Sequence, residues 1–219
     1  KSIKFVKRKI EEFKPDIVIN FYELITATTF KIYRIYDKSG VKMINVGHQY
    51  LLLNPNYKTT PEQDVKYYLL RTLTKWTCQG SSKLLALSFR DMPGCEDRNL
   101  VVVPPLLRRE VFEIEPQEGN YIHGYMLNSG YFEEIIDWHT KNPQIPLRFF
   151  WDKKDADEVT VIDENLIFYR LNDELFLKGL AGSMGYSSTS GFESLCEAMY
   201  YRKPILMIPA HVEQEFNAF

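Results

Sequence analysis

The sequence predicts an α/β protein made of two parallel-sheet domains, and three observations carry that expectation. Short apolar runs of strand length alternate with segments whose apolar residues recur at helical spacing. The pair Pro104-Pro105, which can continue neither a helix nor a central strand, divides that alternation into two halves. The 219 residues are 45% hydrophobic, enough for one large core or two small ones. The domains are therefore expected over 1–104 and 105–219. Both are expected to be partial, because Lys1 is not an initiator and the last residues lie inside a helix begun at Glu213.

Each element follows from local pattern. Ile3, Val6, Ile10 and Phe13 recur at helical spacing, and Pro15-Asp16 breaks into the apolar strand Ile17 to Ile19. Leu24 to Tyr36 reads as a helix ending at Ser39-Gly40, and Lys42 to Val46 as the next strand. A helix from Pro61 to about Trp76 precedes short buried strands at Leu84 to Leu87 and Leu100 to Val103. Past the prolines come a strand at Tyr121 to Met126, a helix at Tyr131 to Thr140, and strands at Leu147 to Trp151 and Asn165 to Tyr169. A capped helix at Asn172 to Leu180, a strand at Met184 to Ser187, a helix from Ser190, a strand at Pro204 to Ile208 and the Glu213 helix complete the series. Short apolar strands separated by helices imply parallel pairing with right-handed crossovers in each half.

Composition narrows the function classes. The net charge is −2 with both signs mixed along the chain, so no electrostatic footprint for nucleic acid appears. Lys7-Arg8-Lys9 and Arg108-Arg109 read as solvated faces, with peripheral contact to an anionic membrane as the most that they suggest. Cys78, Cys95 and Cys196 are odd in number and lack metal-ligand spacing, which fits free thiols in a cytoplasmic protein. No run approaches the length of a membrane span, and no signal peptide opens the chain.

The chemistry concentrates in the last thirty or so residues. Ser188-Thr189-Ser190-Gly191-Phe192 is a small-residue loop opening a helix, and the unpartnered amides and positive dipole end of a helix start favour phosphate. Gly191 lets backbone approach an anion closely, and the three hydroxyls add donors. Glu197 follows Gly191 by under two helical turns, where a carboxylate suits a hydroxyl pair such as that of ribose better than a phosphate. The same residues also read as an ordinary N-cap followed by a solvated acid, and Glu213 with Gln214 as first-turn polar residues of the next helix.

The order of these pieces resembles the donor-site signature of GT-B glycosyltransferases that use nucleotide sugars, including the peptidoglycan N-acetylglucosaminyltransferase and the glucuronosyltransferases. In that pattern a Ser/Gly loop leads to a helix with Glu, then a Lys/Leu-Pro strand, here Lys203-Pro204 to Pro209. An acid-Gln pair, here Glu213-Gln214, then stands shortly before Asn217-Ala218. The resemblance implies two Rossmann-like domains facing across a cleft. It also implies diphosphate contacts at Ser190, Gly191 and Phe192, ribose contact at Glu197, and sugar contacts at Glu213 and Gln214.

In the first half, Asn20-Phe21-Tyr22-Glu23 and Gly47-His48-Gln49 follow strands and resemble part of a GT-B acceptor domain. His48 and Glu23 are thus the candidate bases. A structural histidine and a solvated loop acid are the competing interpretations. In the second half, Asn128 and Ser129 open a helix near the expected phosphates, and Arg170 follows a buried strand at the position where such enzymes hold the base ring. Arg170 reads equally as an exposed cation with a packed stem.

The resemblance implies transfer of a hexose-type sugar from a nucleoside diphosphate sugar, UDP favoured, to a hydroxyl of a glycan, lipid or small-molecule acceptor. Fixed N–H dipoles would stabilise the leaving diphosphate, with no metal and no cofactor beyond the sugar nucleotide as substrate. A sugar-nucleotide epimerase of the same architecture and a noncatalytic sugar-nucleotide binding module are the alternatives. Cytoplasmic placement, at most peripheral at the inner membrane face, accompanies all three.

Overall fold

The computed structural model describes residues 2–58, 65–126, 129–153 and 155–209. Contacts divide the chain into two compact units, one ending at Leu106 and the other beginning at Leu107.

The first unit runs α1 (Ser2–Phe13), β1 (Ile17–Asn20), α2 (Leu24–Tyr33), α3 (Ile35–Ser39), β2 (Lys42–Gly47), α4 (Val65–Thr77), β3 (Lys83–Leu87) and β4 (Leu100–Val103). Its strands form one parallel sheet in the order β1-β2-β3-β4. One cluster gathers Ala27, Phe30, Ile35, Val41 and Met43, and another gathers Tyr50, Leu51, Leu84, Ala86 and Leu100.

Two local departures from the sequence pattern have physical causes. The apolar spacing from Leu24 runs on past Tyr33, yet Arg34 adopts φ 50° and breaks the helix in two, its N–H bonding back to Lys31 O and Phe30 O. After β2, the residues His48–Leu53 wind into a 3₁₀ turn that buries Tyr50 to Leu53 instead of forming an open polar loop.

The second unit runs β5 (Ile122–Met126), α5 (Phe132–Lys141), β6 (Leu147–Trp151), β7 (Val159–Val161), β8 (Leu166–Arg170), α6 (Asp173–Ala181), β9 (Gly185–Ser188), α7 (Phe192–Tyr200) and β10 (Ile205–Met207). Strand order is β10-β9-β5-β6-β8-β7, all parallel except β7, which pairs antiparallel with β8 at the edge. β7 is three residues long with Val159 and Val161 exposed, too short and too wet for periodicity to mark it. Asn172 caps α6, its Oδ1 accepting from Leu175 N at 3.0 Å.

Apolar side chains cover both faces of this sheet. Phe176, Leu177, Leu180, Leu195 and Ala198 of α6 and α7 pack with Phe150 and Tyr186, while Ile135 of α5 packs with Leu147, Phe149 and Phe168. Among the described residues no helix is long and apolar enough to cross a membrane.

Candidate functional site

The chain order of the second sheet marks the place where open parallel sheets generally bind ligands. The chain builds outward from β5 through β6 to β8, then returns to lay β9 on the opposite side of β5 and β10 beyond it. In open parallel sheets that reversal leaves a crevice beyond the carboxyl ends of the two diverging strands. β9 ends at Ser188, so the small-residue loop Ser188 to Gly191 emerges at this point and feeds directly into α7.

The loop is built differently from what its composition suggests. Gly191 is the N-cap of α7 with φ −64°, a conformation open to any residue, while Ser190 takes φ 64°. The left-handed backbone is thus carried by the serine, and the glycine is not needed for conformation. What Gly191 supplies is room. Among the described residues a Cβ there would find only Ser194 Oγ, at 3.8 Å, so their packing leaves the approach to the helix start open. Ser188, Thr189 and Ser190 are buried, so their hydroxyls lie within the unit and do not line its surface. Phe192, the first helical residue, is buried too, and α7 has no side-chain cap.

Glu197 is not a solvated acid. Its side chain is 5% exposed, and Arg108 forks onto it, Nε donating to Oε1 at 2.7 Å and Nη2 to Oε2 at 2.9 Å. Nη1 of the same guanidinium donates to Asp173 Oδ1 at 3.3 Å, at the start of α6. Bonding to Glu197 outweighs partial burial and holds the Arg108 guanidinium above its ordinary range. The expectation of two solvated arginines at 108 and 109 therefore fails for Arg108 and holds for Arg109, which is exposed and pairs with Glu113 one turn on. The neighbouring thiol of Cys196 is pushed up to about 12 by burial and by Glu193 and Glu197, which suits packing and not reactivity.

Lys203, the first residue of the Lys-Pro step, is also structural. Its ammonium donates to Gln117 O at 2.6 Å and Ser183 O at 2.7 Å, tying the entry of β10 to the turn before β9. Arg170 ends β8 exposed, with Nη2 donating to Glu158 Oε1 at 3.2 Å and its backbone N to Glu158 O at 3.0 Å. Asn128, Glu213 and Gln214 lie outside the described residues. In the triplet Asp155-Ala156-Asp157 between β6 and β7 both aspartates are exposed, and among the described residues no three His, Cys, Asp or Glu side chains are grouped to hold a metal.

In the first unit, Glu23 and His48 follow the carboxyl ends of the adjacent parallel strands β1 and β2. Glu23 is exposed, and its backbone is gripped by buried Asn20, which accepts from Glu23 N at 3.1 Å and donates to Glu23 O at 3.2 Å. His48 is half-buried and opens the 3₁₀ turn. Sequence reasoning missed Arg108 as the partner of Glu197. The two lie 89 positions apart, and no spacing rule joins them.

Comparison with known proteins gives the family and the fold. The model of the family described as "Glycosyl transferase family 1" matches residues 1–219. Among solved structures, the chain is similar to Phytolacca americana UGT2 complexed with UDP-2fluoro-glucose and pterostilbene, with TM-score 0.66 and 14% identity over 99% of this chain and 62% of that one. It is similar to Arabidopsis thaliana UGT89C1 complexed with UDP, with TM-score 0.64 and 14% identity over 99% and 59%. The glycotransferase of kitacinnamycin follows with TM-score 0.61 and 13% identity over 99% and 63%. This chain thus spans about three-fifths of the length of these structures. No curated protein matches it. The fold is α/β with Rossmann-like parallel sheets of the GT-B type, and the chain belongs to glycosyl transferase family 1.

Proposed function

We propose that the chain is part of a glycosyltransferase that moves a hexose-type sugar from a nucleoside diphosphate sugar, UDP favoured, to an acceptor hydroxyl without a metal. The observation that carries this is the open approach to the start of α7 at the strand-order reversal. There a buried loop presents helix-terminal amides, and among the described residues a Cβ at Gly191 would find only Ser194 Oγ within 4 Å. UDP in the Arabidopsis structure and UDP-2fluoro-glucose in the Phytolacca structure support the choice of nucleotide. Pterostilbene in the latter supports a small-molecule acceptor, with glycan and lipid acceptors as the other classes.

In this mechanism the bond from the anomeric carbon to the diphosphate oxygen breaks, and the diphosphate leaves with the electron pair. Amides of the Ser190 to Phe192 segment meet the charge that grows on it. The acceptor oxygen bonds to the anomeric carbon and its proton passes to a base, for which the His48 imidazole is the first candidate and Glu23 the second. Glu197 receives ribose hydroxyls, Glu213 and Gln214 those of the sugar, and Asn128 and Arg170 flank the phosphates and the base. The three free thiols suit a cytoplasmic enzyme, at most peripheral at the inner membrane face.

Calorimetric titration with UDP, GDP, ADP and dTDP tests the reading. Saturable binding of one diphosphate that Glu197→Ala weakens supports it, and binding of none of the four removes it.

A further inference from the structure

The Arg108 fork gives Glu197 a geometry that no residue of α7 could provide. A carboxylate on a helix can rotate about its side-chain torsions, and each rotamer sends its oxygens to a different place. Two parallel N–H···O bonds fix both the plane and the direction of the group, and such forks are specific to arginine. Here they engage both oxygens, at 2.7 and 2.9 Å, on a side chain that is otherwise enclosed. Each carboxylate oxygen can accept two bonds, so among the described residues one acceptor position per oxygen is left over, pointing in a direction set by the fork.

Arg108 is itself held. It lies just before a 3₁₀ turn whose Val111 is fully buried, and its third nitrogen reaches Asp173. Asp173 is almost fully exposed, so that outer contact is screened by water and steers more than it stabilises. The inner contact decides where Glu197 points.

We propose that Arg108 is the positioning residue of the donor site, acting on the nucleotide through Glu197: it aims the two remaining acceptor positions of the carboxylate at the ribose hydroxyls. The inference rests on the donor role proposed for Glu197. It predicts that Arg108 matters for recognition of the hydroxyls, not for attraction of the phosphates.

The test is calorimetric affinity for UDP and for 2′-deoxy-UDP in the full chain, for wild type, Arg108→Ala, Glu197→Ala and the double variant. Wild type is expected to favour UDP over the deoxy form by about tenfold, the scale of one charge-assisted hydrogen bond. Arg108→Ala should lose most of that preference, and adding it to Glu197→Ala should change neither affinity further, because residues that act in series are not additive. Arg108→Lys keeps the charge without the fork and should also lose the preference, which separates aim from charge and serves if the alanine variant does not fold.

A full preference retained in Arg108→Ala or Arg108→Lys would overturn the proposal. So would an equal loss of UDP affinity with and without Glu197, since Arg108 would then act on the phosphates directly. If wild type binds UDP but shows no preference, the ribose role of Glu197 fails and this inference falls with it. If wild type binds no UDP, the donor reading as a whole is what fails.

Discussion

His123 shows what a single residue contributes when it is buried without a polar partner. It is the second residue of β5 and has no exposure, its ring centroid 4.7 Å from Phe176, 5.0 Å from Phe150 and 5.7 Å from Tyr186. Among the described residues neither ring nitrogen has a hydrogen-bond partner. Burial first, and Arg148 second, push its pKa down from an ordinary 6.5 to about 3. Between those values the unfolded chain binds a proton that the folded chain refuses. Stability from this residue is therefore intact above pH 6.5 and falls as pH drops toward 3. From pH 7.5 to pH 5 the expected loss is about 2 kcal/mol. Urea unfolding at the two pH values checks it: His123→Leu should show a smaller loss than wild type by that amount, and equal losses would mean that His123 is not the source. At the same scale, Glu197→Ala should weaken UDP binding by roughly 1–3 kcal/mol, read by calorimetry.

Elements set the conditions under which such residues work. α6 comes so close to β5 that a Cβ on Gly179 would stand 2.9 Å from His123 Nδ1, so the helix packs directly on the buried ring. At α7 the geometry separates two tasks that the sequence merges in one glycine. Ser190→Gly should relieve the left-handed backbone and raise stability by about 1 kcal/mol. Gly191→Ala should leave thermal stability unchanged or slightly higher, while lowering UDP affinity by about tenfold, because the methyl group would enter the space proposed for the phosphate. Unchanged affinity in Gly191→Ala would move the phosphate elsewhere. Periodicity sufficed for most elements here, since strands such as Leu100–Val103 are continuous apolar runs and α6 opens on a capping asparagine. It failed at Arg34, where Ile35 and Tyr36 continue the helical pattern across a left-handed residue, and at β7, whose pairing is set by β8 and not by its own side chains. The loop and Glu197 were legible because they are close in sequence. The Arg108 contact was not, because only the folded sheet brings it to α7.

At the scale of the whole molecule, the two units differ in how their strands are ordered. The described strands of the first run β1-β2-β3-β4 in chain order, whereas the second reverses at β5 and places its small-residue loop at the reversal. If the first unit supplies the base, His48→Ala should lower turnover while leaving UDP affinity nearly intact, and wild-type turnover in that variant would exclude His48. The first unit also has an internal lock. Asn20 and Asn45 stand opposite each other in the register of β1 and β2, and Asn20 Nδ2 donates to Asn45 Oδ1 at 2.5 Å in a buried setting. A slip of one residue between these strands would send both amides to opposite faces and leave them dry and unmatched. The consequence is evolutionary: with β1 pinned at its last residue and β2 two residues before its end, exposed side chains just beyond β1, such as Phe21 and Glu23, can change over generations while the register of the two strands stays fixed.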